Sequence, residues 1–217
     1  MTHGRTLGRR QSRRAETRGA ILAAAARIFA EAGLAGARTE AIAAAAGVNK
    51  ALLYYYFDSK ERLYEAVVED HFSEFNRQAL ELLASPGSPR AILLEYVKLH
   101  FDFIRARHRC ASLYQQLMIA GGKRLDHLVR KYFEPRTEAF GKLLDRGMRT
   151  GEFRTSDRKH AAISVVALIV FYFSAARVVQ LLSREDPFSE ANLNHRRQEV
   201  LDFIRFGLFS EPEAPIP

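Results

Sequence analysis

Thr39-Glu40-Ala41-Ile42-Ala43-Ala44-Ala45-Ala46-Gly47-Val48-Asn49-Lys50-Ala51-Leu52-Leu53-Tyr54-Tyr55-Tyr56-Phe57-Asp58-Ser59-Lys60 decides how this chain is organised. Thr39 is a residue type that caps a helix, and Glu40 puts a carboxylate in the first turn, where the positive helix end favours it. Gly47 stops that helix early. Asn49 then caps a second short helix over Lys50 to Tyr56, and Asp58 or Ser59 starts another with Glu61 in its first turn. The pattern predicts two short helices joined by a tight, glycine-centred reversal. Small residues from Ala43 to Ala46 permit close helix packing, while Ile42, Val48 and Leu53 are placed to hold the pair together from inside.

Such a reversal lets one helix project into a DNA major groove while the other crosses the backbone, although purely structural helix pairs share it. The contents of the second helix narrow the choice. Tyr54, Tyr55 and Tyr56 set phenolic hydroxyls around one turn beside Lys50 and Lys60, and these groups donate to phosphate oxygens. The bland alternative makes the tyrosines core aromatics, an expectation that holds for at least one of them.

Upstream, residues 1–13 are rich in Arg, Gly and Ser and read as a flexible basic arm. A first helix follows, with Ile21, Ala25, Ile28, Phe29 and Ala32 on one face and Gly33 as its stop. Residues 1–64 hold 11 Lys/Arg against 5 Asp/Glu, a net of +6, whereas the remainder holds 22 against 20. Most of the formal +8 is therefore N-terminal, either as the footprint of a polyanion or as a solubilising tail. Arg5, Arg9, Arg10, Arg13, Arg14 and Arg18, against the single Glu16, suit a DNA backbone or a narrow minor groove.

Downstream, helical spacing recurs almost everywhere and no strand-length alternation appears, so the fold class is all-α. The expected division is a basic arm over 1–13, a three-helix helix-turn-helix domain over 14–60, a larger helical ligand-binding and dimerisation domain over 61–210, and a frayed tail over 211–217. Ser85-Pro86-Gly87-Ser88-Pro89, Gly121-Gly122 and Gly151 break the body. Pro135 marks a kink or a helix start. Asp157 to Ser183 forms the most apolar helix, and Ser189 caps a last one running to about Phe209. The apolar run Ala161 to Ala176 is shorter than the about 20 residues a membrane span needs, so it reads as a buried helix with no membrane partner.

Cys110 is the sole cysteine and no convincing signal peptide is present, which together point to the cytoplasm. The seven histidines show no convincing ligand spacing, and no phosphate loop, dinucleotide fingerprint or nucleophile elbow occurs. No metal, no cofactor and no catalytic residue is expected.

The run from Thr39 to Leu63 resembles the recognition-helix signature of the tetracycline-repressor (TetR/AcrR) family of bacterial regulators, over roughly residues 14 to 64. That resemblance implies a homodimer on a palindromic double-stranded DNA operator, in most cases a repressor released by a small-molecule effector. By position it implies phosphate contacts from Thr39, Tyr54, Tyr55 and Lys60 and base-edge contacts from Lys50 and Ala51. Arg10, Arg13 and Arg14 extend the same surface. The family often carries a small or hydroxylated residue where Leu52 stands and histidine where Tyr56 stands, so their roles stay open.

The resemblance also implies an effector pocket in the body for an apolar or amphipathic ligand, for which Tyr96, His100, Phe103, Arg107, Tyr114, Met118 and Phe173 are the candidates; the alternative is that these residues simply build core. For the dimer seam, Val165, Leu168 and Tyr172 share one broad apolar surface, and Val200, Phe203, Ile204 and Leu208 another at helical spacing. Two rival readings are a helical enzyme or metal-binding body with an incidental head, and a protein-interaction module; the arginine arm and tyrosine cluster weigh against the second.

Overall fold

The computed structural model describes residues 3–108, 115, 118–119 and 121–210, with side chains from residue 12 onward. Tyr114, Cys110 and the tail 211–217 lie outside the described residues, as does the side chain of Arg10. In chain order the helices are α1 (His3–Gly36), α2 (Thr39–Ala45), α3 (Lys50–Phe57), α4 (Lys60–Leu83), α5 (Pro89–Ala106), α6 (Gly122–Leu128), a π-helical turn (Val129–Phe133), α7 (Glu134–Arg149), α8 (Arg158–Ser174), α9 (Ala176–Ser183) and α10 (Glu190–Leu208). They divide into two compact units, one built on residues up to Phe72 and one on Ser73–His108 with residues from Gly121 onward. The division falls inside α4, later than the boundary at residue 60 expected from the sequence.

In the first unit α1 breaks at Gly33, which has non-helical torsions, as the spacing predicts. Its start differs from expectation: α1 reaches back to His3, so residues 3–13 are helical where an irregular arm was expected. Arg and Gln propagate a helix at little cost once the apolar segment has nucleated one, so composition alone was a poor guide. Ile21, Ala25 and Phe29 of α1, Ile42 of α2, Leu53 of α3 and Leu63 of α4 are all fully buried. Phe29 sits edge-on against Tyr64 at 5.1 Å.

The reversal between α2 and α3 closes on Gly47 at φ 67. Gly47 N–H donates to Ala44 O (3.1 Å) and Val48 N–H to Ala43 O (3.0 Å), satisfying two carbonyls that the helix end would otherwise leave unpaired. Asn49 caps α3, its side chain accepting from Leu52 N–H at 2.7 Å. Ser59 caps α4 by accepting from Arg62 N–H at 3.1 Å, while Asp58, at φ 58, closes α3. Thr39 does not cap α2. Arg38 occupies that position without a side-chain bond, and Thr39 is the first helical residue, its hydroxyl turned toward Tyr54.

In the second unit Ser88, Asp157 and Ser189 cap α5, α8 and α10, each accepting a backbone N–H three residues on. Pro135 stands in the first turn of α7, directly after the π-helical turn, whose Glu134 N–H reaches Val129 O. Of the two expected alternatives, the helix start is the one found: α7 begins at Glu134 with Pro135 in its first turn, where the missing N–H costs no intrahelical bond. The expected single helix from Asp157 to Ser183 is two: α8 ends at Ser174 and α9 turns away by 69° after Ala175. Apolar composition predicts burial but carries no information about a bend between two equally apolar segments.

The body core gathers Tyr96, Phe101, Phe140, Leu143, Leu144, Ile169 and Ile204 from α5, α7, α8 and α10. Gly147 on α7 lies under the Phe153 ring so closely that a Cβ there would stand 2.1 Å from Cδ2. The ring has little room to withdraw, since Phe153 stacks on Phe209 at 5.6 Å and the two backbones form a β-bridge. Gly147→Ala is expected to destabilise the protein by about 2 kcal/mol: the overpacking exceeds the about 1 kcal/mol that alanine gains in a helix. Thermal unfolding would show a Tm lower by roughly 4 to 8 °C; an unchanged or higher Tm would show that the ring yields.

Candidate nucleic-acid interface

The exposed side of α3 is assembled by three helices. Lys50, at its first residue, ion-pairs with Glu40 of α2 and lies over the Tyr54 ring at 5.8 Å. The Lys50 ammonium beside it holds the Glu40 carboxyl below the usual range, and the carboxylate in turn raises the Lys50 pKa. The Tyr54 hydroxyl stands 3.4 Å from the Thr39 hydroxyl, so the first residue of α2 and the middle of α3 present a joint donor pair. Thr39 itself is buried apart from this edge, whereas Ala51 is open and Tyr55 is 66% exposed.

From α1, the Arg14 guanidinium sits 5.6 Å from the Tyr55 ring centre and 5.9 Å from that of Tyr56, and Arg18 sits 5.4 Å from that of Phe57. The arginines thus border the tyrosine cluster instead of extending away from it. Arg13 is exposed on the same helix. Lys60 behaves differently: its ammonium donates to Ala35 O and Ala37 O, both at 3.3 Å, and so ties the start of α4 to the end of α1. Tyr56 is half-buried between Tyr55 and Phe57, and Leu52 is half-buried too. Sequence reading missed Glu40 as the partner of Lys50 and the stacking of Arg14 and Arg18. Both depend on residues ten or more positions apart meeting across packed helices, and no local pattern encodes that.

Among the effector candidates, Tyr96, His100 and Phe173 are buried, Phe103 is half-buried, and Arg107 and Met118 are exposed. Three of them converge on Phe75, a residue absent from the sequence reading. Its ring centre is 4.6 Å from those of Phe103 and His100 and 6.4 Å from that of Tyr96. Phe173 instead packs on Phe101 at 5.1 Å as core. Arg136, also missed, caps the cluster with its guanidinium 5.0 Å from the Phe75 centre and 5.2 Å from that of Phe133. Burial, helped by the Arg136 charge, lowers the His100 pKa to about 3, so the ring is neutral at pH 7. Burial likewise pushes the Tyr96 phenol up and the Arg136 guanidinium down. A lone arginine beside a proline carries no sequence signal for such a role.

The expected dimer residues divide sharply. Val165, Val200 and Ile204 are each 1% exposed inside the body's own core and offer no surface to a partner. Leu168, Tyr172 and Leu208 are half-buried, with the Tyr172 hydroxyl bonded to Pro187 O at 2.8 Å. Phe203 alone of the set is open, and with Phe206, Ile163 and Phe171 it gives α8 and α10 exposed apolar faces. The apolar run was wide enough for two faces, and the sequence reading picked mainly the one that packs inward. Among the described residues no three His, Cys, Asp or Glu side chains gather in a way that could hold a metal ion.

Residues 21–67 match the family described as bacterial regulatory proteins, tetR family, and residues 89–204 match the tetracyclin repressor-like C-terminal domain. The chain is 28% identical to the HTH-type transcriptional regulator RutR of Escherichia coli K12, over 94% of this chain and 99% of that protein. It is 31% identical to the HTH-type transcriptional repressor NicS of Pseudomonas putida, over 78% of this chain and 82% of the relative. Among solved structures, the ketosteroid transcriptional regulator KstR2 of Mycobacterium tuberculosis superposes with a TM-score of 0.72 at 21% identity, covering 89% of this chain and 95% of the other. A transcriptional regulator from Saccharomonospora viridis, solved with choline, gives 0.71 at 21% identity, covering 91% and 100%. With both domains matched and the matching helix pair in place, the chain belongs to the TetR family of helix-turn-helix transcriptional regulators and is a regulator, not an enzyme.

Proposed function

We propose that this regulator is a cytoplasmic homodimeric repressor, without membrane attachment, that reads a palindromic operator with α3 and releases it on binding a small effector in the body. The observation that carries the DNA reading is the exposed edge of α3, where Lys50, Ala51, Tyr54 and Tyr55 stand together with Arg14 beside them. Lys50 and Ala51 face base edges. Tyr54, Tyr55, Thr39, Arg13 and Arg14 take phosphates, with Arg10 continuing the line along α1. Lys60 acts mainly by holding α4 in place. Selecting bound fragments from random DNA tests this: enrichment of a pseudo-palindrome supports it, and uniform recovery of all sequences overturns it.

Two substitutions separate the roles. Lys50→Ala is expected to lose about 1 to 3 kcal/mol of discrimination between the operator and single-base variants, because it removes a base contact. Tyr54→Phe is expected to weaken every sequence alike by about 1 kcal/mol per head, because it removes one hydroxyl donor. Competition titrations across an operator-variant panel would reverse these assignments if Tyr54→Phe altered the ranking and Lys50→Ala did not.

Exposed Phe203, Phe206, Ile163 and Phe171 support a dimer seam on α8 and α10. Control runs through α4, which supplies Leu63 and Val67 to the head core and Phe75, Ala79 and Leu83 to the body core. An effector that shifts the body end of α4 changes the spacing of the two recognition helices. A preference of about 1 to 3 kcal/mol for the non-binding state weakens operator affinity about 5- to 150-fold, and DNA weakens the ligand equally.

A further inference from the structure

Arg136 has no ion pair with a carboxylate among the described residues, and its Nη1 is fully enclosed without a hydrogen-bond partner. The Tyr96 phenol interacts with the guanidinium as a side-chain hydrogen-bond partner but carries no charge at neutral pH. Arg158 pairs with Asp145 and Glu138, Arg105 with Glu190 and Arg205 with Asp202, while Arg146 and Arg196 donate to the backbone carbonyls of Ser85 and Leu168 and, like Arg205, keep a buried nitrogen unpaired. The Nδ1 of buried His100, which shares the Phe75 ring with Arg136, is likewise enclosed and unpaired. Enclosing polar and charged groups without partners is costly, and such pairs of orphans persist where a ligand supplies the missing groups.

We propose that the body binds a small organic monocarboxylate, its carboxylate seated on Arg136 and on the Nδ1–H of His100, and its apolar part held among Phe75, Phe103 and Phe133. The planar guanidinium fork matches a carboxylate in two parallel bonds, which favours this anion over a halide or an uncharged amide. Neutral His100 supplies a donor at Nδ1 without adding charge. The surrounding rings exclude water and suit an aryl or alkyl chain. The cluster reaches the surface through a stack of side chains: exposed Arg107 lies 4.6 Å from the centre of half-buried Phe103, whose ring lies 4.6 Å from that of Phe75 against Arg136. Phe75 belongs to α4, so a ligand that displaces its ring bears directly on the helix through which control is proposed to run. The inference rests on the effector-controlled reading above and names the ligand class that reading leaves open.

The test uses the full-length protein, thermal unfolding and calorimetric titration, with benzoate, phenylacetate and hexanoate against benzamide, phenylacetamide and hexanamide at one pH. At least one acid is expected to raise the Tm and bind, with its amide binding at least tenfold more weakly. Arg136→Met is expected to raise the Tm of the unliganded protein, since it removes an unpaired cation, and to abolish the response to the acid. Arg136→Lys, which keeps the charge and loses the fork, is expected to weaken acid binding at least tenfold. Failure of all three acids to bind, equal binding of acid and amide, or acid binding unaltered in both variants overturns the proposal; a lower unliganded Tm for Arg136→Met with intact acid binding assigns Arg136 a structural role instead. Operator titration separates the two readings. Acid binding that leaves operator affinity unchanged retains the carboxylate site and removes the inducer role. Release of operator by an uncharged ligand, with no acid bound, does the reverse.

Discussion

Ile204→Glu is expected to destabilise the body severely, and Phe203→Glu, one residue earlier, is expected to leave it stable and split the proposed dimer. Ile204 is 1% exposed in the core, so the change removes a packed side chain and sets a carboxylate among Leu143, Ile169 and Val200. Lost packing plus the burial of a charge or of a carboxylic acid without partners costs about 4 kcal/mol or more. That is a large share of the roughly 5 to 15 kcal/mol that holds a domain folded, and corresponds to a Tm lower by about 8 to 16 °C. Phe203, 68% exposed, loses only surface contacts within its own chain. At a two-fold seam, however, its glutamates are placed in apolar surroundings on both protomers. Sedimentation and circular dichroism together separate the outcomes. A stable monomer from Phe203→Glu supports the seam on α8 and α10; an intact dimer moves it elsewhere, and a folded, stable Ile204→Glu protein refutes the burial argument.

Deleting residues 1–13 is expected to weaken operator binding and to flatten its salt dependence strongly. The deletion removes Arg5, Arg9, Arg10 and Arg13, four cations per chain and eight per dimer, from the helix that carries Arg14 beside the tyrosine cluster. If half of them neutralise phosphates, the slope of log K against log salt becomes shallower by about 3.6, since each phosphate contact contributes about 0.9. Between 50 and 200 mM salt the truncated protein then loses about a hundredfold less affinity than the full chain. An unchanged slope in fluorescence-anisotropy titrations would show that the extension is a solubilising segment with no phosphate contacts.

The legible parts of the site were those whose cause is local. Asn49 caps α3, Gly47 closes the turn and Ser59 starts α4 because each acts on backbone groups within a few residues. Thr39 shows the limit of such rules. It is a good capping residue by type, yet packing turned its hydroxyl to Tyr54 and left Arg38 at the cap. The ion pair of Lys50 with Glu40 and the stacking of Arg14 on Tyr55 and Tyr56 follow from how α1, α2 and α3 pack, so they had no sequence signal.

By itself the sequence determined the all-helical class, the helix-turn-helix with its caps, the concentration of positive charge at the N-terminus and the family. Helical periodicity, turn chemistry and charge are properties of short windows, and they survive whatever packs against them. Tertiary structure alone decided which of two apolar faces on α8 and α10 turns inward, where the Asp157 to Ser183 segment bends, and that Arg136 comes to rest over Phe75 with its Nη1 enclosed and unpaired. An apolar stripe records how much surface must leave water but not which neighbour removes it, and an arginine's partners are fixed only when distant helices close around it.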